Sequence, residues 1–457
     1  MPGQDDHFKV ARKQSGNMPN TKMLTTQYSN KIIVIFALTK FYQLMKRNLL
    51  LFTSLIFISI SSSVFAQSVA IDYGKNLNTL TTAVPFLLIT PDARGGGLGD
   101  AGAASFPDAN SMHFNPAKYG FIDKDFGFSV SYSPWLHKLV NDINLAYLGA
   151  YKRINKRQVV SMTLRYFSLG NITFTNEVGQ TISNYKPNEF AIDASYCFKF
   201  TNEVSGGIAL RYIYSNLTGG IFVAGAQSKA GQAVAADVSV YYEKPIEIKG
   251  MQTKFALGAN ISNIGNKISY TENLDRDFIP TNLRLGFSYD LNFDKNNSLA
   301  LLLDFNKLLV PTPPVYYQIN EVTPSGDTIK TPKTIKAGRD PEVGVVRGMI
   351  QSFYDAPGGF KEEMKEINIA VGLEYWYAKQ FSIRAGYFNE ASTKGNRKYV
   401  TLGAGLRYSI FGLDFAYLIP VTQRNPLENT LRFSLLFNFD KVKTKKEKEG
   451  EDIKKNE

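Results

Sequence analysis

From residue 126 to residue 439 the chain alternates apolar and polar side chains in runs about ten residues long. In one run Val160, Met162, Leu164 and Tyr166 share a face, and Ser161, Thr163 and Arg165 share the other. In a second, Phe190, Ile192, Ala194, Tyr196, Phe198 and Phe200 oppose Asp193, Ser195, Cys197 and Lys199. Later runs set Leu283, Leu285, Phe287, Tyr289, Leu291 and Phe293 against Arg284, Ser288, Asp290 and Asn292, and Leu431, Phe433, Leu435, Phe437 and Phe439 against Arg432, Ser434 and Asn438. A period of two belongs to β-strands, whose successive side chains point to opposite faces. The pattern predicts strands over 126–135, 143–153, 157–168, 188–200, 203–217, 232–244, 251–264, 281–293, 298–309, 367–379, 381–389, 398–409, 412–420 and 429–439.

A soluble sandwich buries the apolar face, whereas a transmembrane barrel turns it to lipid and needs about 9–11 residues per strand. The runs have that length, and their ends are rich in Tyr and Phe, as an interfacial girdle requires. The polar face carries Arg165, Asp193, Arg211, Asp237, Arg284, Asp304, Arg407, Asp414 and Arg432. Both signs are present, so these charges are expected to pair across a lumen. Connection lengths add a second argument. Short ones (154–156, 201–202, 294–297, Gln380, 410–411 and the slightly longer 245–250) alternate with long ones (169–187, 218–231, 265–280 and 310–366). Outer-membrane barrels show this asymmetry, with short periplasmic turns and long external loops. The predicted fold is therefore an all-β transmembrane antiparallel barrel of about 14 strands over residues 126–440. It carries a long external insert at 310–366.

Residues 67–125 do not alternate, and they hold Gly95, Gly96, Gly97, Gly99, Gly102, Pro107 and Pro116. Such a stretch reads as tightly turning backbone, expected as a Gly-rich N-terminal plug or hatch at the periplasmic side or in the lumen.

Composition narrows the class. The 457 residues are 13% aromatic, with 25 Tyr and 32 Phe but 2 Trp. Mean hydropathy is -0.17. Outside residues 45–66 no apolar run reaches the roughly 18 residues of a spanning helix. The net charge of +12 is concentrated partly in residues 441–457, which mix signs and read as a charged disordered tail. No basic face interleaved with aromatics lies inside the predicted domain, so no nucleic-acid partner is expected. The single Cys197 excludes a disulfide framework.

Residues 45–66 read as a secretory signal peptide, with Lys46 and Arg47, an apolar core over 49–60, and Val64, Phe65 and Ala66 before an expected mature start at Gln67. Residues 1–44 have no place in such a signal and are expected to be a mis-called upstream extension. No Cys follows the apolar core, so no lipoprotein anchor is expected.

The run PDARGGGLGDAGAASFPDANSMHFNPAKYGF resembles the hatch of FadL-like long-chain fatty-acid transporters. The matching positions are Ala93, Arg94, Gly95, Gly99, Gly102, Asp108, Asn115, Pro116 and Ala117. The phrases TTAVPFLLITPDARGGGLGDAG, SPWLHKLVNDINLAYL, LRYFSLGNITFT, NEFAIDASY, ALRYIYSNL and AVAADVSVYY look like the PorV (LptO) family of Bacteroidetes, outer-membrane proteins of the type IX secretion system. This resemblance implies a FadL-like barrel in the cell outer membrane, surrounded by outer-membrane lipid. It also implies binding of the C-terminal signal domains of secreted cargo, and their transfer from a SprA-type translocon to a PorU-type sortase.

No catalytic constellation competes with that reading. His113 and His137, the two histidines after the signal peptide, stand apart with no ligand-spaced partner, so no metal site is expected. No GxSxG elbow is present. The GGGLG run follows no predicted strand and lacks a GK[ST] ending, so no nucleotide cofactor is expected. The alternatives are a FadL-like transporter of fatty acids or other hydrophobic ligands and, through the LptO name, lipopolysaccharide O-deacylation. The sequence offers no nucleophile and base for the latter.

Overall fold

The computed structural model of the chain describes residues 77–440, except 137, 139, 141, 176–177, 221, 224–225, 249–250, 272–275, 318–319, 323–327, 331–333 and 423–424. The expected extension, signal peptide, first ten plug residues, tail and His137 lie outside the described residues.

Fourteen antiparallel strands close into one barrel in sequence order. They are β1 (Phe126–Pro134), β2 (Ile143–Arg153), β3 (Gln158–Leu169), β4 (Asn188–Lys199), β5 (Val204–Asn216), β6 (Gly231–Ile248), β7 (Met251–Gly265), β8 (Asn282–Asn292), β9 (Asn297–Leu308), β10 (Asn368–Tyr377), β11 (Phe381–Asn389), β12 (Lys398–Tyr408), β13 (Phe411–Pro420) and β14 (Thr430–Phe439). The seam pairs β1 with β14 in a register that sets Phe126 against Phe439 and Tyr132 against Phe433. Closure leaves no unpaired edge, the condition for a sheet to stand in hydrocarbon.

The alternation sorts the faces. Val160, Met162, Leu164 and Tyr166 are exposed on the outside of β3, while Ser161, Thr163 and Arg165 are buried within. Phe126, Phe128, Phe437 and Phe439 stack across the seam near the short-turn end. Tyr132, Tyr166, Tyr212 and Tyr387 ring the other end. These are two aromatic girdles around an apolar band. No helix of the described residues is long and apolar enough to cross a membrane.

β6 overturns one boundary. Residues 245–250 are expected as a turn, yet β6 runs through Pro245, paired with Lys254, to Ile248. Glu243 donates its N–H to Glu203 O, just below the start of β5, and Tyr242 opposite Val204 is the last pair with that strand. The nitrogen of Pro245 faces the side where β5 has ended, so no ladder bond is lost there.

The plug fills the lumen. It contains two short helices, α1 (Ala93–Gly97) and α2 (Ser111–Phe114), and 3₁₀ turns at Pro85–Leu88 and Pro116–Phe121. The insert between β9 and β10 has its own structure: hairpins pairing Val315–Tyr317 with Thr334–Ala337 and Asn320–Val322 with Thr328–Lys330, then helices α3 (Val345–Gln351) and α4 (Phe360–Glu363).

Candidate interaction site

Most of the hatch residues singled out in the sequence bond to one another or to the inner wall. Asp92 caps α1 by accepting from Gly95 N at 2.8 Å. Ala93 N donates to Ser434 Oγ at 2.8 Å, and Gly99 N to Thr401 Oγ1 at 2.9 Å. Gly102 N and Ala103 N both donate to Asp304 Oδ2 at 2.8 Å. Asn115 holds the second turn. Its Oδ1 accepts from Ala117 N, and its Nδ2 donates to Ala103 O and to Val240 O. Pro116 then opens the 3₁₀ turn, where no N–H is required.

Arg94 is the centre of a buried ion network. It donates to Asp108 Oδ2 at 2.9 Å and makes two bonds to Glu374, at 2.9 and 2.7 Å. Glu374 also takes Arg384 Nε at 2.7 Å, Arg384 reaches Asp414 at 2.8 Å, and Asp414 accepts from Arg407 at 2.7 Å. The chain Asp108–Arg94–Glu374–Arg384–Asp414–Arg407 thus ties the plug to β10–β13. Charges removed from water must be paired in this way to be tolerated.

The lumenal charges, expected to pair across a lumen, touch the plug or the strands beside them. Arg165 binds plug carbonyls of Phe86 (3.2 Å) and Leu87 (2.6 Å), and its Nη2 lies 2.8 Å from His113 Nδ1. Arg432 pairs with Asp100 of the plug at 2.9 Å. Arg284 bonds Asn306 and stacks over Phe114 of the plug, 4.9 Å from the ring centre. Arg211 bridges Asp193 and Asp237 on neighbouring strands. Asp237 also accepts from Asn263 N at a bulge between β6 and β7. The charges grip the plug or cross-link neighbouring strands because backbone and carboxylates occupy the space between the walls.

Sequence reasoning missed Glu374, Arg384 and a set of lumen-facing strand glycines. A Cβ on Gly207 would lie 2.7 Å from Ala117 N, one on Gly149 2.9 Å from Ala109 O, and one on Gly372 2.8 Å from Leu98 O. At Gly258 and Gly386 it would collide with Ala103 O and Gly99 N. Glycine inside a strand marks close backbone approach. That signal was available in the sequence.

At the long-loop end the insert is seated by an acidic knot. Lys307 donates to Glu363 (3.0 Å) and Glu366 (2.7 Å), and Lys394 to Glu362 (2.6 Å) and Glu366 (2.9 Å). Thr312 gives its hydroxyl to Glu366 and its N–H to Asp355. Burial pushes the Asp355 carboxyl up to about 6. Burial also opposes the charge on Glu362, but the bonds from Lys394, Gly358 N and Asn78 outweigh it and hold that carboxyl below its usual range. With these acids turned inward, the insert shows an apolar face. Val346, Ile350 and Phe353 are 68%, 59% and 50% exposed, at helical spacing on α3 and the turn after it. Phe360 and Met364 are exposed nearby in sequence. Three large apolar side chains left in water at i, i+4 and i+7 form the kind of stripe that docks on a partner.

A model of the family described as type IX secretion system protein PorV matches residues 72–315, more than half of the chain. The chain belongs to the PorV family. It is accordingly a component of the type IX secretion system, set in the outer membrane and associated with that machinery. The family match covers the plug and β1–β9 and ends at Val315, so most of the insert lies beyond it. No curated protein sequence matches the chain. Solved structures that resemble it include the toluene transporter TbuX of Ralstonia pickettii (10% identity, 80% of this chain and 99% of that one, TM-score 0.41). The toluene transporter TodX of Pseudomonas putida is similar at 9% identity, over 79% of this chain and 98% of that one, with TM-score 0.42. A FadL homologue of Pseudomonas aeruginosa is similar at 12% identity, over 79% and 99%, with TM-score 0.36.

Proposed function

We propose that the protein binds the C-terminal signal domains of secreted cargo at its external end and carries them from a SprA-type translocon to a PorU-type sortase. The observation that carries this reading is the contrast between the two ends of the site. The lumen is closed by a plug bonded to the walls on every side, whereas the insert holds a rigid seat under an exposed apolar stripe. Such a molecule works through its outer surface. Catalysis plays no part in the proposal. Among the described residues no serine hydroxyl bonds either nitrogen of His113, whose Nδ1 faces Arg165, and Cys197 Sγ lies against Ala117 O.

Covering Val346, Ile350 and Phe353 gives about 1 kcal/mol or more each at their present exposure. Replacing all three by Ser is expected to weaken cargo binding by about two to three powers of ten. Secretion should fail while the barrel stays heat-modifiable. Deleting residues 312–359 should give the same phenotype, with a less stable insert base because Thr312 and Asp355 go too. Normal secretion by the triple variant refutes the docking role. Bound fatty acid in the purified barrel, with growth on long-chain fatty acids dependent on it, would favour a FadL-like transporter instead.

A further inference from the structure

The plug does not begin and end at the same mouth of the barrel. Its last residues are at the short-turn end, where Asp125 N donates to Phe439 O and Arg153 N to Asp125 O. Its first described residues are at the opposite end. Asn78 N donates to Thr393 O at 3.1 Å, in the loop between β11 and β12. Asn78 Nδ2 donates to Pro313 O (3.1 Å) and Glu362 Oε1 (3.0 Å) in the insert. Ala83 N donates to Phe278 O at 3.0 Å, in the loop between β7 and β8. All three of these loops lie at the long-loop mouth. From there the chain descends past Arg165, Ser434, Asp304 and Ser239 to the start of β1. Leu77 stands 75% exposed above the mouth.

From this course we propose that the chain enters its own barrel from the external side, and that residues 77–84 form an outer strap clasping the insert in place. Asn78 is the clasp. It joins the insert, through Pro313 and Glu362, to the β11–β12 loop, which Lys394 also ties to Glu362 and Glu366. The neutral amide adds two directed bonds without changing the charge of the knot. It also makes the seat of α3 depend on the plug, since the strap leads through Val84 into the apolar cluster with Phe86, Leu87, Phe167 and Ile213. The strap requires the long-loop end to face outward, as in outer-membrane barrels generally. It is independent of what the insert binds.

Single-cysteine accessibility on whole cells tests the course of the strap, because native Cys197 is buried and silent. Leu77→Cys and Phe360→Cys are expected to react with a membrane-impermeant maleimide on intact cells. Lys156→Cys, in a short turn, should react only after permeabilisation. Protection of Leu77→Cys while Phe360→Cys reacts overturns the strap. Protection of both, with Lys156→Cys reactive, overturns it too and places the error in the orientation of the barrel. The clasp is tested by Asn78→Ala. Two hydrogen bonds lost from the insert should raise tryptic cleavage at Lys361 on intact cells about tenfold, with Thr173→Ala in a separate hairpin unchanged. Cleavage at the wild-type rate overturns the clasp.

Discussion

Glu374 is the carboxylate on which the buried network turns, and replacing it with Ala removes three bonds at once: two from Arg94 and one from Arg384. The two guanidiniums are about as buried as Glu374 itself, with side chains 6% and 0% exposed. Each keeps one carboxylate, Asp108 for Arg94 and Asp414 for Arg384. Stripping one partner from a buried pair costs about 3–5 kcal/mol, and the retained partners place Glu374→Ala at the low end, ~3 kcal/mol. That is about a hundredfold in the unfolding equilibrium. The assay is urea unfolding in detergent micelles followed by tryptophan fluorescence. Both tryptophans report on the site: Arg384 and Arg407 lie over Trp376, and Arg432 over Trp135. The solvent-exposed pair Lys124–Asp440 supplies the control, since breaking it with Asp440→Asn should cost at most about 1 kcal/mol. Adding Arg94→Met to Glu374→Ala should cost less than the two single changes summed, because the two bonds between these residues are lost only once. If Glu374→Ala shifts stability no more than Asp440→Asn does, the network does not hold the plug.

Gly386→Val should dislodge the plug, because a Cβ there collides with Gly99 N; susceptibility of the plug to protease in detergent should rise sharply, while Gly179→Ala, with open space around it, changes nothing in the plug. The docked insert should tighten as pH falls from 7 to 5. Asp355 has a folded-state pKa of about 6, above its ordinary 3.8, so the folded insert binds the extra proton and gains stability below about 6. Glu362, held low, stays ionised from pH 7 to 5. Tryptic cleavage at Lys361 should be slower at pH 5 than at pH 7 after correction for the protease, and Asp355→Asn should abolish that difference. In planar bilayers the wild-type barrel should show no steady ionic conductance, whereas deletion of residues 86–121 should open a channel; steady conductance by the wild type would contradict a filled lumen.

Most of the barrel was legible because alternation is local. Each of the fourteen strands is signalled by its own run, and turn residues bound the runs. Pro245 was misplaced because its tolerance depends on where a neighbouring strand stops, a fact held in another part of the chain. The hatch motif was visible as glycine density, but its contacts were not: Arg94 and Glu374 are 280 positions apart. Glu374 and Arg384 sit within predicted strands at positions that alternation turns inward, so they could have been added to the lumenal charges. The acidic knot was hidden for a different reason. Glu362, Glu363 and Glu366 lie among lysines in the insert, outside the alternating runs, and only Lys307 and Lys394, donors from outside the insert, reveal which way they point.

Affinity isolation of the tagged protein from detergent-solubilised outer membrane, side by side with the variant carrying Val346→Ser, Ile350→Ser and Phe353→Ser, tests the central claim most directly. Mass spectrometry of the wild-type isolate should recover a very large barrel, a sortase-like protease and proteins sharing a C-terminal β-domain. The variant should lose the β-domain proteins while folding as before. Equal recovery of those proteins by both, or a wild-type barrel that comes away without partners and loaded with lipid, would contradict it.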